Sequence, residues 1–208
     1  WKWGGKAGNI WRTTPDIQPN WASVLCIYEF NVRLDKYARP GAFNDPDMLE
    51  VGNGKLTFEE NKSHFTLWSM MAAPLILGND IRDFIKPDGT VDTDNKVLQI
   101  LTNKDVIAIN QDKLGIQCKR IKAGLKDVLV KPLENNEVAV CFFNKTNKKT
   151  EMTCSFKDIK NVISVTLPDN SNYICKELWD KTEIVVSDMI KTTVEPHGVK
   201  IFRVSVNK

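Results

Sequence analysis

The stretch Pro40-Gly41-Ala42-Phe43-Asn44-Asp45-Pro46-Asp47-Met48-Leu49 leads from a short apolar segment into a group of acidic residues. Residues 72–80, Ala72-Ala73-Pro74-Leu75-Ile76-Leu77-Gly78-Asn79-Asp80, follow a similar pattern. Short apolar segments with polar carboxyl ends are typical of buried parallel strands that finish at a functional rim. With the segment 9–16, these stretches predict three βα units.

Helical periodicity separates the predicted strands. Residues 20–30 carry apolar side chains at the three-and-four spacing of one helix face: Trp21, Val24, Leu25 and Tyr28. Residues 57–71 begin with Thr57 and, three positions later, Glu60, which is the pattern of a capping box. A further helix is predicted for residues 94–101. Since a closed (β/α)₈ barrel needs eight strands, three units predict that the remaining units lie outside this sequence.

After Gly115 the apolar periodicity changes from helical to alternating. Four segments have the length and alternation of strands, namely residues 128–130, 137–143, 151–156 and 199–204. Short strands at this spacing are typical of an antiparallel β-sandwich. We therefore predict two domains, with residues 1–115 forming the C-terminal part of a (β/α)₈ barrel and residues 116–208 forming the sandwich.

Composition restricts the classes of partner. The chain has 208 residues, and its 29 basic and 26 acidic side chains give a formal charge of +3. Because acidic residues are interspersed among the lysines, the sequence predicts no nucleic-acid partner. No apolar run approaches the roughly 18 to 20 residues that span a bilayer, so no membrane partner is predicted either. The opening residues 1–5 do not resemble a signal peptide, and a cytoplasmic or a secreted location stays open.

The cysteines do not indicate a metal site. Five are present, without a CxxC pair or a Cys/His cluster, so no metal ligands are predicted. Their odd number and irregular spacing also do not suggest a disulfide framework. We expect unpaired thiols at Cys118, Cys141, Cys154 and Cys175. The two histidines, His64 and His197, are predicted to be structural.

The candidate functional residues lie at the ends of the first two predicted strands. Arg12 and Asp16 follow one strand, and Asp47 follows the next. Carboxylates accept hydrogen bonds from sugar hydroxyls, and an aromatic side chain such as Trp11 covers the apolar face of a sugar. Structural interpretations stay open, because an aspartate before a helix also serves as an N-cap and Asp-Pro-Asp also forms turns.

Four motifs in fixed order resemble the closing half of glycoside hydrolase family 27, the α-galactosidase (melibiase) family. They are Gly8-Asn9-Ile10-Trp11-Arg12-Thr13-Thr14-Pro15-Asp16-Ile17, Phe43-Asn44-Asp45-Pro46-Asp47-Met48-Leu49-Glu50-Val51-Gly52-Asn53-Gly54, Met71-Ala72-Ala73-Pro74-Leu75 and Asp105-Val106-Ile107-Ala108-Ile109-Asn110-Gln111-Asp112. The resemblance covers residues 4 to about 115, and the predicted sandwich agrees with it in type.

The resemblance implies roles for individual residues. Asp16 corresponds to the general acid/base, Arg12 to a ligand of sugar hydroxyls, and Asp47 and Met48 to the pocket wall. In this family the nucleophile belongs to the fourth barrel strand, which has no counterpart here. The implied activity is retaining hydrolysis of terminal α-galactosyl residues, without metal or organic cofactor, in partnership with a missing N-terminal barrel segment.

Several alternatives stay open at this point. The family also includes α-N-acetylgalactosaminidases and β-L-arabinopyranosidases, and the fifth-strand loop that separates galactose from N-acetylgalactosamine in the family is not represented in the sequence. A different class of function is a non-catalytic fragment that serves carbohydrate binding or assembly. Homo-oligomer formation is also left open by the sequence.

Overall fold

The computed structural model describes residues 1–165, 167–169 and 171–207. Its first part alternates helices and short strands: α1 (Gly4–Ala7), β1 (Ile10–Arg12), α2 (Trp21–Asn31), β2 (Phe43–Asp45), α3 (Phe58–Met70), α4 (Lys96–Leu101) and α5 (Lys104–Asn110). The second part is mainly β: β3 (Lys119–Lys122), β4 (Lys126–Leu133), β5 (Glu137–Asn144), β6 (Thr150–Ser155), α6 (Phe156–Lys160), β7 (Tyr173–Glu177), β8 (Glu183–Val186), β9 (Met189–Val194) and β10 (Val199–Val206). Within the described ranges, no helix has the length and apolarity needed to cross a membrane.

The first part contains a short parallel sheet. Strands β1 and β2 pair in parallel, with Arg12 opposite Asp45. The third predicted strand, in residues 72–80, is reduced to one parallel bridge between Leu49 and Leu77. Ile76 and Leu77 are 55% and 44% exposed, whereas the sequence predicted a buried strand. The physical reason is that, among the described residues, this segment has a bridging partner on one side only.

The predicted helices are confirmed. Helix α2 begins after Asn20, whose side chain accepts a hydrogen bond from Ser23 N. Helix α3 begins after Thr57, and the predicted capping box with Glu60 is present in both directions. Most of α3 is buried, because it packs against helices α2, α4 and α5 and also against strands β4, β5 and β10 of the sandwich. It is therefore the central helix of the structure.

The predicted antiparallel sandwich is confirmed. Its larger sheet has the strand order β3-β4-β5-β10-β7-β8, and a two-stranded sheet of β6 and β9 lies beside it. Side chains from both sheets, such as Val140, Phe142, Cys154 and Ile190, form one core cluster. Alternate residues of β5 point the other way and join the core of the first part, among them Cys141 and Phe143.

The two parts share a second core across their junction. Phe143 of β5 packs edge-on against Trp21 and Tyr28 of α2. Lys131 of β4 is fully buried and donates to the carbonyl oxygen of Ile109 near the end of α5, at 2.6 Å. Burial lowers the pKa of Lys131 to about 8. The domain boundary near residue 115 stays a prediction, which we favour because α5 ends at Asn110 and β3 begins at Lys119.

A cluster of charged side chains lies within this junction. Asp127 is fully buried and accepts from Tyr28 Oη at 2.7 Å, with Lys145 Nζ at 2.7 Å and Arg120 Nη1 at 3.1 Å. Glu29 pairs with the same two cations. Partial burial alone would raise the pKa of Glu29, but hydrogen bonds from Lys145 and Arg120 lower it to about 2. The cluster therefore joins α2 to the sandwich through paired charges.

We expect the substitution Asp127→Asn to destabilise the protein severely. It would leave Arg120 and Lys145, which are 13% and 11% exposed, with Glu29 as their remaining acidic partner. Removing one partner of a buried ion pair costs about 3 to 5 kcal/mol. The midpoint of urea-induced unfolding measures the effect. The control is Glu151→Ala, which removes an exposed pair with Lys191 and should cost about 1 kcal/mol or less. Equal midpoints for the two variants would contradict this prediction.

The prediction of unpaired thiols is confirmed. Cys118, Cys141, Cys154 and Cys175 are free and buried, and Cys26 is free and exposed. Burial raises the pKa of the Cys118 thiol to about 12. A buried thiol with a raised pKa is a poor nucleophile and metal ligand, so the four buried cysteines act as packing residues.

Candidate active site

The parallel register of β1 and β2 determines where the candidate residues lie. Arg12 is the last residue of β1, and it lies opposite Asp45, the last residue of β2. Thr13 N continues the ladder by donating to Asp45 O at 2.9 Å. Both segments therefore leave the sheet at the same end. The residues that follow them, including Asp16 and Asp47, can meet there. Carboxyl ends of parallel strands are the usual position of active sites in barrel enzymes.

One nitrogen of Arg12 joins the two acidic residues. Arg12 Nη2 donates to Asp16 Oδ1 at 2.9 Å and also to Asp47 Oδ2. The side chains differ greatly in exposure, at 91% for Asp16 and 10% for Asp47. Asp16 is thus an accessible carboxyl with a charged hydrogen bond to Arg12, whereas Asp47 is nearly buried and contacts the same guanidinium group.

Asp47 is held in an unusual backbone conformation. Its φ angle is +86°, in a region that costs a residue other than glycine about 1 to 3 kcal/mol. Asp47 N donates to Asp45 Oδ1 at 2.8 Å, and Ile17 N donates to Asp47 Oδ2 at 2.7 Å. Trp68 Nε1 donates to the carbonyl oxygen of Asp47 at 2.8 Å. These contacts keep the Asp47 carboxylate directed toward Arg12.

Met48 follows Asp47 and contacts its side chain through a backbone N–H. Met48 N donates to Asp47 Oδ1 at 2.8 Å, and the residue is 39% exposed. A Cβ atom built at Gly78 would lie 3.0 Å from Met48 Sδ and 2.8 Å from Leu49 O. Gly78 therefore leaves the space that the Met48 side chain occupies. The structure brings Asp16 and Asp47 into contact with Arg12 and places Met48 at the edge of the group.

The alternative interpretations of these residues can be compared with the structure. The N-cap of α2 is Asn20, so Asp16 does not cap that helix. The bond from Asp47 N to Asp45 Oδ1 is a local turn contact, so the turn interpretation holds for the Asp-Pro-Asp segment. The same turn also places the Asp47 carboxylate in contact with Arg12.

The two histidines lie outside the group formed by Arg12, Asp16 and Asp47. His64 Nε2 accepts from Glu50 N at 2.9 Å, and burial lowers the pKa of His64 to about 3, which keeps the ring neutral. His197 stacks on Trp21 and pairs with Glu60 across the junction of the two parts. In the described part of the chain, no cluster of three or more His, Cys, Asp or Glu side chains is placed to hold a metal ion.

Sequence reasoning missed Trp68 and the backbone N–H of Ile17. Trp68 lies on α3, where it is fully buried and resembles any other core aromatic. Its signal in sequence is weak, because only the polar tip of a buried tryptophan, which usually needs a hydrogen-bond partner, sets it apart from phenylalanine. The Ile17 contact uses the backbone and has no sequence signal at all.

The comparisons with known proteins define the class to which this arrangement belongs. A parallel sheet with carboxylates at its strand ends is followed by an antiparallel sandwich. The family model described as "Alpha galactosidase A" matches residues 4–112, and the model described as "Alpha galactosidase C-terminal beta sandwich domain" matches residues 123–204. The chain therefore belongs to glycoside hydrolase family 27, the α-galactosidase family. It corresponds to the C-terminal part of the family's members.

Individual relatives support the same conclusion. "Alpha-galactosidase 2" of Arabidopsis thaliana is 41% identical over 99% of this chain and 49% of its own length. "Alpha-N-acetylgalactosaminidase" of Gallus gallus is 34% identical over 94% of this chain and 47% of its own length. The crystal structure of α-galactosidase I from Mortierella vinacea superposes with a TM-score of 0.85 at 29% identity, over 96% of this chain and 54% of that one. The chain thus spans about half the length of these relatives, and its βα units are part of a barrel.

Proposed function

We propose that this chain is the C-terminal part of a retaining exo-glycosidase that removes terminal α-D-galactosyl residues from oligosaccharides and glycoconjugates. Asp16 is its general acid/base. The observation that carries this proposal is the pair of hydrogen bonds from Arg12 Nη2, because they place the exposed Asp16 carboxyl next to Asp47 at the strand ends. Membership of the α-galactosidase family supports the reaction type.

Asp16 acts in both steps of a double displacement. In the first step its carboxyl group donates a proton to the leaving glycosidic oxygen while a second carboxylate attacks the anomeric carbon. In the second step the Asp16 carboxylate removes a proton from the water that releases the sugar. High exposure suits both roles, since the group must contact first the leaving oxygen and then the incoming water.

Arg12, Asp47 and Met48 bind the sugar in this proposal. Arg12 has further N–H donors besides the one shared by the two aspartates, and these can donate to sugar hydroxyls. Asp47 Oδ1 accepts one bond from Met48 N, so a lone pair is left for a sugar hydroxyl. The partly exposed Met48 side chain supplies an apolar part of the pocket wall.

The nucleophile belongs to a preceding barrel segment in this proposal. Retaining enzymes place their two carboxyl groups about 5 to 5.5 Å apart, so that segment must lie against the strand ends. Apolar side chains of the first part are exposed and available to it, namely Trp1, Trp3, Ile10, Ile76 and Leu77.

Terminal α-galactose is the substrate that the comparisons favour. The Arabidopsis relative named as an α-galactosidase is 41% identical, against 34% for the chicken relative named as an α-N-acetylgalactosaminidase. The second specificity is therefore the alternative within the same family, and β-L-arabinopyranosidase is another. The loop that separates galactose from N-acetylgalactosamine in the family has no counterpart in residues 1–208.

A panel of nitrophenyl glycosides tests the proposal in the complete enzyme. We expect the α-D-galactoside to be hydrolysed with a kcat/KM at least about tenfold above those of the α-N-acetylgalactosaminide and the β-L-arabinopyranoside, since one rejected substituent is worth about that factor or more. Proton NMR should show α-galactose as the first-formed product, because two inversions give retention. A β-anomer would contradict the mechanism. Turnover of none of the three would favour the non-catalytic alternative, a carbohydrate-binding or assembly role.

A further inference from the structure

Trp68 lies behind the candidate active site and is in direct contact with it. Its side chain is fully buried in the core, and its indole Nε1 donates to the carbonyl oxygen of Asp47 at 2.8 Å. Trp68 itself cannot reach a sugar, since no part of it is exposed. Any effect that it has on substrate must therefore pass through Asp47.

The indole group is itself held in place. The ring of Trp68 meets the ring of His64 edge-on, with centroids 4.1 Å apart. His64 Nε2 in turn accepts from Glu50 N, in the loop that follows Asp47. Helix α3 and this loop are thus connected at two points, through Trp68 and through His64, and the Trp68 side chain is fully buried between them. The indole N–H is a fixed donor.

Asp47 needs such a donor because of its backbone conformation. Its positive φ is unfavourable for aspartate, and the two peptide groups next to it are each held by a side chain: Asp45 accepts from the N–H, and Trp68 donates to the carbonyl oxygen. If one of these contacts is lost, the backbone can relax toward a negative φ. The carboxylate would then move away from Arg12 and from Ile17 N.

We propose that Trp68 is a positioning residue, which fixes the left-handed backbone of Asp47 and thereby sets the affinity of the sugar pocket. This inference rests on the proposed function, in which Asp47 binds a sugar hydroxyl. A contact made equally in the ground state and in the transition state changes KM and leaves kcat nearly unaltered. Trp68 therefore affects binding more than the chemical step.

The substitution Trp68→Phe in the complete enzyme tests the inference, since it keeps an aromatic ring and removes the indole donor. We expect KM for an aryl α-galactoside to rise about tenfold, the cost of one lost buried hydrogen bond, while kcat changes less than about threefold. The matched control is Trp179→Phe, which removes an indole bond to Thr66 Oγ1 on the same helix at 3.0 Å. It should leave KM unchanged. Equal KM values for the two variants would overturn the proposal.

A double-mutant cycle separates positioning from a general loss of structure. Asp47→Asn removes the carboxylate and keeps the backbone carbonyl that accepts from Trp68. In this background Trp68→Phe should raise KM further by less than about twofold, because the group that it positions is already impaired. A second tenfold rise in the Asp47→Asn background would mean that Trp68 acts independently of Asp47, and the inference would be wrong.

A measurement without substitution of Trp68 covers the case in which that variant does not fold. In the complete enzyme labelled with ¹⁵N-indole tryptophan, the Trp68 N–H should exchange slowly with water and its resonance should shift when galactose binds. The Trp179 resonance, assigned from Trp179→Phe, should not shift. If galactose binds and neither resonance moves, the Trp68 inference is wrong and the proposed function is unaffected. If the wild-type enzyme neither binds galactose nor hydrolyses galactosides, the proposed function and this inference fail together.

Discussion

Replacing Asp16 by alanine in the complete enzyme is expected to slow hydrolysis of natural α-galactosides by about 10² to 10⁴-fold, the usual contribution of a general acid. The leaving group of a natural substrate is an alkoxide, which departs slowly unless it receives a proton. Arg12 and Asp47 remain in place in this variant, since their contact does not involve Asp16. We therefore expect the loss in kcat and only a small change in sugar binding.

A nitrophenyl leaving group separates the two roles of Asp16. Nitrophenolate departs without protonation, so the first step should be far less affected and the second step should limit turnover. Azide should then accelerate turnover, because it attacks the glycosyl-enzyme without needing a base. The product should be the α-glycosyl azide, which reflects two inversions. A β-glycosyl azide would show that Asp16 is the nucleophile instead.

The variant Asp80→Ala is a suitable control for the Asp16 substitution. Asp80 is another carboxylate in the first part of the chain, but it pairs with Arg82 in a surface turn. Its loss should change turnover less than about threefold, as is typical of exposed positions. If Asp16→Ala behaves like this control with natural substrates, Asp16 has no role in proton transfer.

The sequence predicted those parts of the fold that depend on local signals. The capping box at Thr57 and the apolar face of residues 20–30 placed α3 and α2 within one or two residues of their observed bounds. Alternation of apolar residues located the strands of the sandwich, and β4, β5, β6 and β10 are found there. In each case the signal lies within one element, so no knowledge of the tertiary structure is needed.

Features that depend on distant contacts could not be predicted. The buried pair of Tyr28 and Asp127 joins residues that are 99 positions apart, and either side chain alone is unremarkable in sequence. The positive φ of Asp47 could not be predicted from the sequence, because the residue is not a glycine. Trp68 belongs to the site only because its indole N–H meets one carbonyl oxygen across the core. The sequence thus singled out Arg12 and Asp16 as candidates, which the structure places in contact, but it did not indicate the contacts that hold Asp47 in place.

The last prediction concerns the 208-residue chain expressed on its own. We expect it to cleave an aryl α-galactoside at a rate about 10⁶-fold below that of the complete enzyme, the scale of loss when a covalent nucleophile is deleted. Asp16 can supply a proton, but the proposed mechanism assigns the attacking carboxylate to the preceding barrel segment. Exposed Ile76 and Leu77 should also make the isolated chain prone to association.

Co-expression with that preceding segment distinguishes a missing nucleophile from a misfolded chain. Activity should return when the two pieces assemble, because the apolar surface beside Ile10 then becomes covered and the second carboxylate reaches the strand ends. Assembly with a segment whose nucleophile is replaced by alanine should restore solubility without activity, which shows that the carboxylate and not the fold is limiting. Conversely, if the isolated chain, with its mass verified, hydrolyses the galactoside at an enzyme-like rate, the nucleophile must lie within residues 1–208. The assignment of separate roles to Asp16 and to the preceding segment would then be wrong.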